Sequence, residues 1–189
     1  MNQLYPTPTH AEIKGMFHES EKYRHLTAHY LTGRGVDIGS QGMPVVPWAI
    51  SFDLPEDRYR IYTGGVPSGG RIDVRGDMSE LPFPDRSLPW IYSSHVIEDL
   101  TRAEWIPLFR HWATKVIPGG LIVILVPERG RWWDYVRAGG PHNFSHAKGE
   151  PLLGDIATAA KAAGLKCEME RLTDVYPGDY TIMGVVRVP

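Results

Sequence analysis

Two glycines and a carboxylate mark the first stretch of the chain whose spacing suits ligand chemistry. A short apolar run, Val36-Asp37-Ile38, stops at Gly39-Ser40-Gln41-Gly42, and a second run, Trp48 to Phe52, ends on Asp53. Glycines let a backbone turn approach a ligand closely, and an acid at the end of the next strand can accept hydrogen bonds from ribose hydroxyls. Strand, glycine turn, crossover, strand and acid form the order that a nucleoside-binding α/β protein needs. Gly39 and Asp53 stand 14 positions apart, short of the roughly 20 in the dinucleotide fingerprint, and the full Gly-x-Gly-x-x-Gly pattern is absent. Both facts weigh against a nicotinamide-dependent oxidoreductase. Farther on, His142-Asn143-Phe144-Ser145-His146 has the i, i+4 histidines of a metal-binding helix, but spacing marks no third ligand, so no metal is expected.

The elements that position these residues follow from periodicity. Thr9 and Glu12 have capping-box spacing, and Ile13, Met16, Phe17, Tyr23, Leu26, Tyr30 and Leu31 recur at helical intervals, which predicts one or two helices over 9–31. That segment either packs on the sheet or covers a ligand as a lid. Pro44 and Pro47 exclude a long helix between the first two strands. Residues 55–70, with two prolines and four glycines, read as a surface loop. Strands are expected at 71–75, 90–95 and 121–126, the last apolar on both faces as in a central parallel strand. A helix at 101–116 carries the stripe Trp105, Leu108, Phe109, Trp112 and Val116, with Pro107 inside it and Glu98 and Asp99 placed to cap it. Ile117 to Gly120 reads as a turn, 127–149 as a long functional loop and 151–163 as a helix ended by Gly164. The last two strands, Lys166–Leu172 and Tyr180–Val188, flank a Pro-Gly-Asp turn at 177–179 and form an antiparallel pair.

Composition bounds the class. The chain has 189 residues, 42% hydrophobic and 22% charged, values of an ordinary folded protein expected to form one domain. A net charge of −2 provides no basic field for nucleic acid or for an anionic membrane. The longest apolar run, Leu121 to Val126, is far below the roughly 20 residues of a membrane span. Cys167 is the lone cysteine, and residues 1–14 lack the apolar stretch of a secretory signal, so the cytoplasm is the expected compartment.

Three ordered segments, VDIGSQG, GDMSELPFPDRSLPWIYSSHVIEDL and VIPGGLIVILVPE, resemble the class I S-adenosylmethionine-dependent methyltransferases. More narrowly, the chain is similar to small bacterial methyltransferase-domain proteins with a proline-rich crossover and a His/Asn-containing loop after the fifth strand. The resemblance implies an α/β Rossmann-like fold: a mostly parallel seven-stranded sheet with an antiparallel C-terminal hairpin. Residues 33–189 would form that core, and 1–32 a helical extension or lid. It also implies S-adenosylmethionine as cofactor and S-adenosylhomocysteine as product. Gly39, Ser40 and Gly42 would let the turn approach the cofactor, and Asp37 would help to order that turn. Asp53 would take the ribose hydroxyls and Leu54 would lie on the adenine. Asp77 would accept from the adenine amino group or cap the following turn, with Met78 at the ring. Ser94 and His95 would border the methionine moiety and the substrate. The usual Gly-x-Gly-x-Gly is reduced here to Gly39 and Gly42.

An alcohol, phenol or ammonium acceptor must lose a proton, and His95, His142 and His146 are the candidate bases near the strand ends. His95 is alternatively a packed histidine. Trp132, Trp133 and Tyr135 would stack on a planar substrate or bury the contact of a homodimer. A small-molecule acceptor is expected, since no Asn/Asp-Pro-Pro-Tyr motif, target-recognition segment or basic balance points to nucleic acid. The alternative is a non-catalytic protein of the same fold, a partner subunit or cofactor-binding sensor.

Overall fold

The computed structural model describes residues 5–9, 11–12, 19–62, 70–140 and 150–189. Seven strands lie in one sheet: β1 (Val36–Ile38), β2 (Ile50–Asp53), β3 (Val74–Arg75), β4 (Leu88–Ser94), β5 (Val116–Pro127), β6 (Lys166–Leu172) and β7 (Thr181–Arg187). Their order is β3-β2-β1-β4-β5-β7-β6. The first five are parallel, and β7 runs antiparallel to both β5 and β6. This is the expected mostly parallel sheet with its antiparallel hairpin.

Among the described residues, five helices pack around it: α1 (Glu19–Thr27), α2 (Glu56–Tyr62), α3 (Arg102–Lys115), α4 (Arg129–Arg137) and α5 (Asp155–Ala162). The sheet is buried on both faces because alternate residues of its central strands point to opposite sides. On one side Ile91, Ile122, Ile124 and Val126 meet Trp105, Phe109 and Trp112 of α3 and Ile156 and Ala160 of α5. On the other, Trp90, Tyr92, Val123 and Leu125 meet Tyr23 of α1 and Val45 and Val46 of the crossover. Gly184 on β7 is the point of closest approach to α5. A Cβ there would stand 2.7 Å from Ile156 Cγ2.

The expected capping box at Thr9 and Glu12 is formed: the Thr9 N–H donates to Glu12 Oε2 at 2.7 Å, and the Glu12 N–H returns to Thr9 Oγ1 at 3.3 Å. The crossover between β1 and β2 holds no helix, as its prolines require. Several expectations are corrected. Residues 55–70 are not all loop: Pro55 leads into α2, whose first turn carries Glu56 and Asp57 at the positive helix end. Likewise α4 occupies much of 127–149, started by Glu128, whose side chain accepts from the Arg131 N–H. Glu98 and Asp99 do not cap α3. Thr101 does, and Glu104 accepts from both its N–H and its hydroxyl, at 2.6 and 2.7 Å. Pro107 is accommodated inside α3, and the segment 117–120 is absorbed into β5, whose pairing with β4 shifts register between Leu88 and Trp90. Among the described residues, no helix is long and apolar enough to cross a membrane.

Candidate functional site

The sheet order reverses between β1 and β4, and the crevice outside their carboxyl ends is where doubly wound sheets hold ligands. A cleft of about 560 Å³ opens there. That is within the range of small-molecule sites, roughly 300–1,000 Å³.

Its floor is the turn after β1. Gly39 has φ of +76°, and its N–H donates to the Phe52 carbonyl at 2.9 Å, pinning the turn to β2. A Cβ on Gly39 would stand 2.3 Å from Val96 Cγ2, so both the conformation and the contact require glycine. Asp53, at the end of β2, is almost fully buried and accepts from the Gln41 N–H at 2.8 Å and the Leu54 N–H at 2.9 Å.

One wall comes from α2 and the turn after β3. Arg58 donates to Asp77 Oδ2 at 2.8 Å, while Asp77 Oδ1 accepts from the Ser79 N–H and hydroxyl at 3.0 and 2.7 Å. These hydrogen bonds, Ser79 first and then Arg58, hold the Asp77 carboxyl down at about 2. Asp77 therefore does cap the short 3-10 turn at Met78–Glu80, one of its two expected roles. Arg75 joins β3 to α2 through Glu56 at 2.5 Å and the face of Tyr59 at 5.2 Å. The opposite wall is α3, with Glu104, Pro107 and Leu108 on the cleft. Its Trp112 indole N–H donates to the Met78 carbonyl at 2.8 Å, so this helix also holds the adjoining turn in place.

His95 closes the cleft beyond β4. Its φ of +54° is costly for a residue with a side chain, and its N–H donates to the Leu125 carbonyl at 2.9 Å. The ring Nε2 lies 3.1 Å from Thr181 Oγ1, and Nδ1 lies 3.8 Å from Glu98 Oε1. Burial pushes the Glu98 carboxyl well above its usual range, and the Asp99 and Glu19 carboxylates push it further.

Of the residues singled out from sequence, Gly39, Asp53, Leu54, Asp77, Met78 and His95 line this cleft together. Asp37, Ser40, Gly42 and Ser94 do not line it. The Ser40 hydroxyl bonds that of Ser51 at 2.6 Å beneath the turn, and Asp37 Oδ2 accepts from the Val45 N–H at 2.6 Å. Gly42 packs on the Gly70 backbone, and Ser94 is buried. His142 and His146 lie outside the described residues. Trp132 is buried, Trp133 is partly exposed, and the Tyr135 ring packs on Tyr180, which in turn stands edge-on to His95. Sequence reasoning missed Gln41, Arg58, Tyr59, Asp99 and Glu104 as cleft residues. For Arg58 and Tyr59 the Pro55-Glu56-Asp57 helix start was the available signal. Among the described residues, no cluster of three or more His, Cys, Asp or Glu is placed to hold a metal ion.

The sequence matches no protein-family model and no curated protein. Solved structures do match. An S-adenosylmethionine-dependent methyltransferase from Archaeoglobus fulgidus superposes with a TM-score of 0.63 at 15% identity, over 95% of this chain and 100% of that one. Another from Mesorhizobium loti gives 0.58 at 17%, over 89% and 97%. A chain from the Haloferax volcanii complex that contains the Trm112 methyltransferase activator gives 0.60 at 16%, over 95% of each. With its seven-stranded order and its cleft at the strand reversal, the chain has the Rossmann-like fold of the class I S-adenosylmethionine-dependent methyltransferases.

Proposed function

We propose that the protein is an S-adenosylmethionine-dependent methyltransferase acting on a small molecule. The observation that carries this reading is the charge of a nucleoside-sized cleft. Among the described residues, Asp53, Asp77, Asp99 and Glu104 line it against one guanidinium, that of Arg58. Such a lining favours a cationic sulfonium nucleoside and opposes the pyrophosphate of a dinucleotide. The residues fit the cofactor in kind as well as in charge. Asp53 would accept from the ribose diol, Leu54 and Met78 would flank the adenine, and Asp77 would accept from its amino group once Arg58 yields a lone pair. Gly39 would bring the backbone close to the methionine part, with Ser94 and His95 at its far end. Asp37, Ser40 and Gly42 would support the turn from behind.

S-adenosylmethionine supplies a methyl carbon on a positively charged sulfur, already activated for in-line displacement. What remains for the protein is to orient the acceptor, an effect that can supply about 7–11 kcal/mol, and to remove its proton. His95 lines the cleft, which supports it as the base. His142 and His146 remain candidates from the sequence alone. A cytoplasmic setting accords with the lone cysteine.

A second reading, a partner subunit of the same fold, is favoured by one specific observation: Gly42, the second turn glycine, is packed against Gly70 and not on the cleft. The fold neighbour from an activator complex makes such assemblies a precedent.

Thermal-shift titration with S-adenosylmethionine, S-adenosylhomocysteine and NAD as control tests the proposal. Ligand at 100 times its dissociation constant stabilises by about 2.7 kcal/mol, or roughly 5–10 °C for a chain of this size. A shift with the first two and not NAD, lost in Asp53→Ala, is expected. No shift at millimolar ligand sinks the enzyme reading in favour of the partner one. Binding without turnover across a panel of acceptors leaves the sensor form of that second reading.

A further inference from the structure

Beneath His95 runs a chain of hydrogen bonds whose donor directions are determined by its far end. Asp179 is 2% exposed at the start of the β7 approach. Its Oδ2 accepts from the Val175 N–H at 2.9 Å and the Thr173 hydroxyl at 2.5 Å. Its Oδ1 accepts from the Thr181 N–H at 3.0 Å and the Tyr23 hydroxyl at 2.9 Å. The Tyr23 hydroxyl has one proton, and Asp179 takes it. Its 2.7 Å contact with Thr181 Oγ1 must then be made with the Thr181 proton. Tyr176, 3.3 Å from Tyr23, can for the same reason only donate to it. With the threonine proton committed to Tyr23, Thr181 Oγ1 can only accept from His95 Nε2, 3.1 Å away.

We infer that Asp179, acting through Tyr23 and Thr181, fixes His95 as the Nε2–H tautomer and makes Nδ1 the nitrogen that takes up a proton from the acceptor. Asp179, Tyr23 and Thr181 are positioning residues: none is on the cleft, and each acts through the next. When Nδ1 takes the proton of an acceptor hydroxyl, phenol or ammonium, the electron pair of that bond stays on the acceptor atom as the nucleophile. The imidazolium formed keeps its Nε2–H on Thr181 and has the Glu98 carboxyl 3.8 Å from Nδ1. Tyr23 lies nearly parallel to the ring at 6.5 Å, and Tyr180 stands edge-on to it at 5.8 Å. Burial raises the pKa of both these phenols, so they stay neutral beside the imidazole. The proton-accepting role rests on the methyl-transfer reading, whereas the tautomer does not. Because Tyr23 belongs to α1 and Asp179 and Thr181 to the C-terminal hairpin, the ring is held by two elements far apart in sequence.

The test is a long-range proton–nitrogen correlation spectrum of the full chain labelled with nitrogen-15 in its histidines. It is recorded at pH 8, above the ordinary imidazole value of about 6.5. The chain has eight histidines, and His95→Gln identifies the signals of His95 by their loss. The expected wild-type pattern is a single Nε2–H tautomer. Thr181→Val, which removes the acceptor of that proton, should give mixed tautomers. Tyr23→Phe releases the threonine proton to turn toward Nε2 and should shift the ring to Nδ1–H. An Nδ1–H ring or a tautomer mixture in the wild type overturns the inference, and so does an Nε2–H signal unchanged in both folded variants. Should a variant fail to fold, the wild-type spectrum alone decides. The same sample titrated with S-adenosylmethionine separates the two ideas: an Nε2–H ring without binding removes the methyl-transfer reading and leaves the chain intact.

Discussion

Asp37 is a buried acid beneath the glycine turn, and its effect on stability has a definite sign. Its carboxyl is 1% exposed and pushed up to about 8, chiefly by burial, against the opposing hydrogen bond from the Val45 N–H. The Asp53 carboxylate pushes in the same direction as burial, and Arg24 opposes it. In the unfolded chain the same group titrates near 4. Between those two values the folded state keeps a proton that the unfolded state has released, so stability falls as pH rises from about 4 to about 8. Asn at this position retains an acceptor for Val45 without the titration. The melting temperature of Asp37→Asn minus that of the wild type should therefore increase from pH 5 to pH 8, by at least one pKa step, about 1.4 kcal/mol or roughly 3–6 °C. Parallel profiles for the two proteins would sink the idea. That Asp53, at the end of an apolar run, would stand on the cleft was legible from its position alone. That Asp37 turns inward to the crossover was not, because a buried acid and an exposed one look alike in a three-residue strand.

At the scale of elements, what could be read was whatever local chemistry decides. The Thr9 and Glu12 box, the Pro-Gly-Asp turn at 177–179, the doubly apolar β5 and the helix-free crossover all stand where their residues put them. Two helices were hidden, for different reasons. In α2 the six glycines and prolines that dominate 55–70 outweighed a short helical start. In α4 the run Arg129 to Arg137 has the composition of a loop, and burial of Trp132 supports the helix. Helix α3 shows how far a cap matters to the site, since Thr101 and Glu104 start the helix that forms one wall of the cleft. Thr101→Ala should cost about 1 kcal/mol and lower the melting temperature by roughly 2–4 °C, read by circular dichroism. An unchanged midpoint would mean that the packing of Trp105 and Trp112 alone holds that end. At the α5 contact, Gly184→Ala must displace Ile156 and should destabilise by about 1–3 kcal/mol, as overpacking does, in a denaturant titration. A neutral result there would show that α5 can slide on the sheet.

Seen across the whole molecule, the cleft divides a thick half from a thin one. Strands β4, β5 and β7 are buried along most of their length and covered on both faces. On the other side stands β3, two half-buried residues at the sheet edge, in register with β2 at Val74 and Arg75. The α2 wall is joined to β3 and the Asp77 turn largely by ion pairs with exposed members: Arg58 with Asp77, and Arg75 with Glu56. Exposed pairs of this kind contribute little, about 0–1 kcal/mol each. Amide exchange should therefore be slowest in β4 and β5 and fastest in α2, β3 and the Met78–Glu80 turn, where local opening is cheap. A nucleoside held by Asp53 and Asp77 would bridge these halves, because Asp53 sits on the buried side of β2 and Asp77 on the thin wall. Adding S-adenosylhomocysteine should accordingly slow exchange most in α2, β3 and that turn, with smaller changes in β4 and β5, as measured by hydrogen–deuterium exchange mass spectrometry. If protection instead rises evenly over the sheet, the ligand stabilises the fold without closing the thin wall. If it rises only around α1 and α4, the ligand lies near His95 and the acids of the cleft do not hold it. Only protection concentrated on the thin wall fits a site in which the least stable edge of the sheet is completed by what it binds.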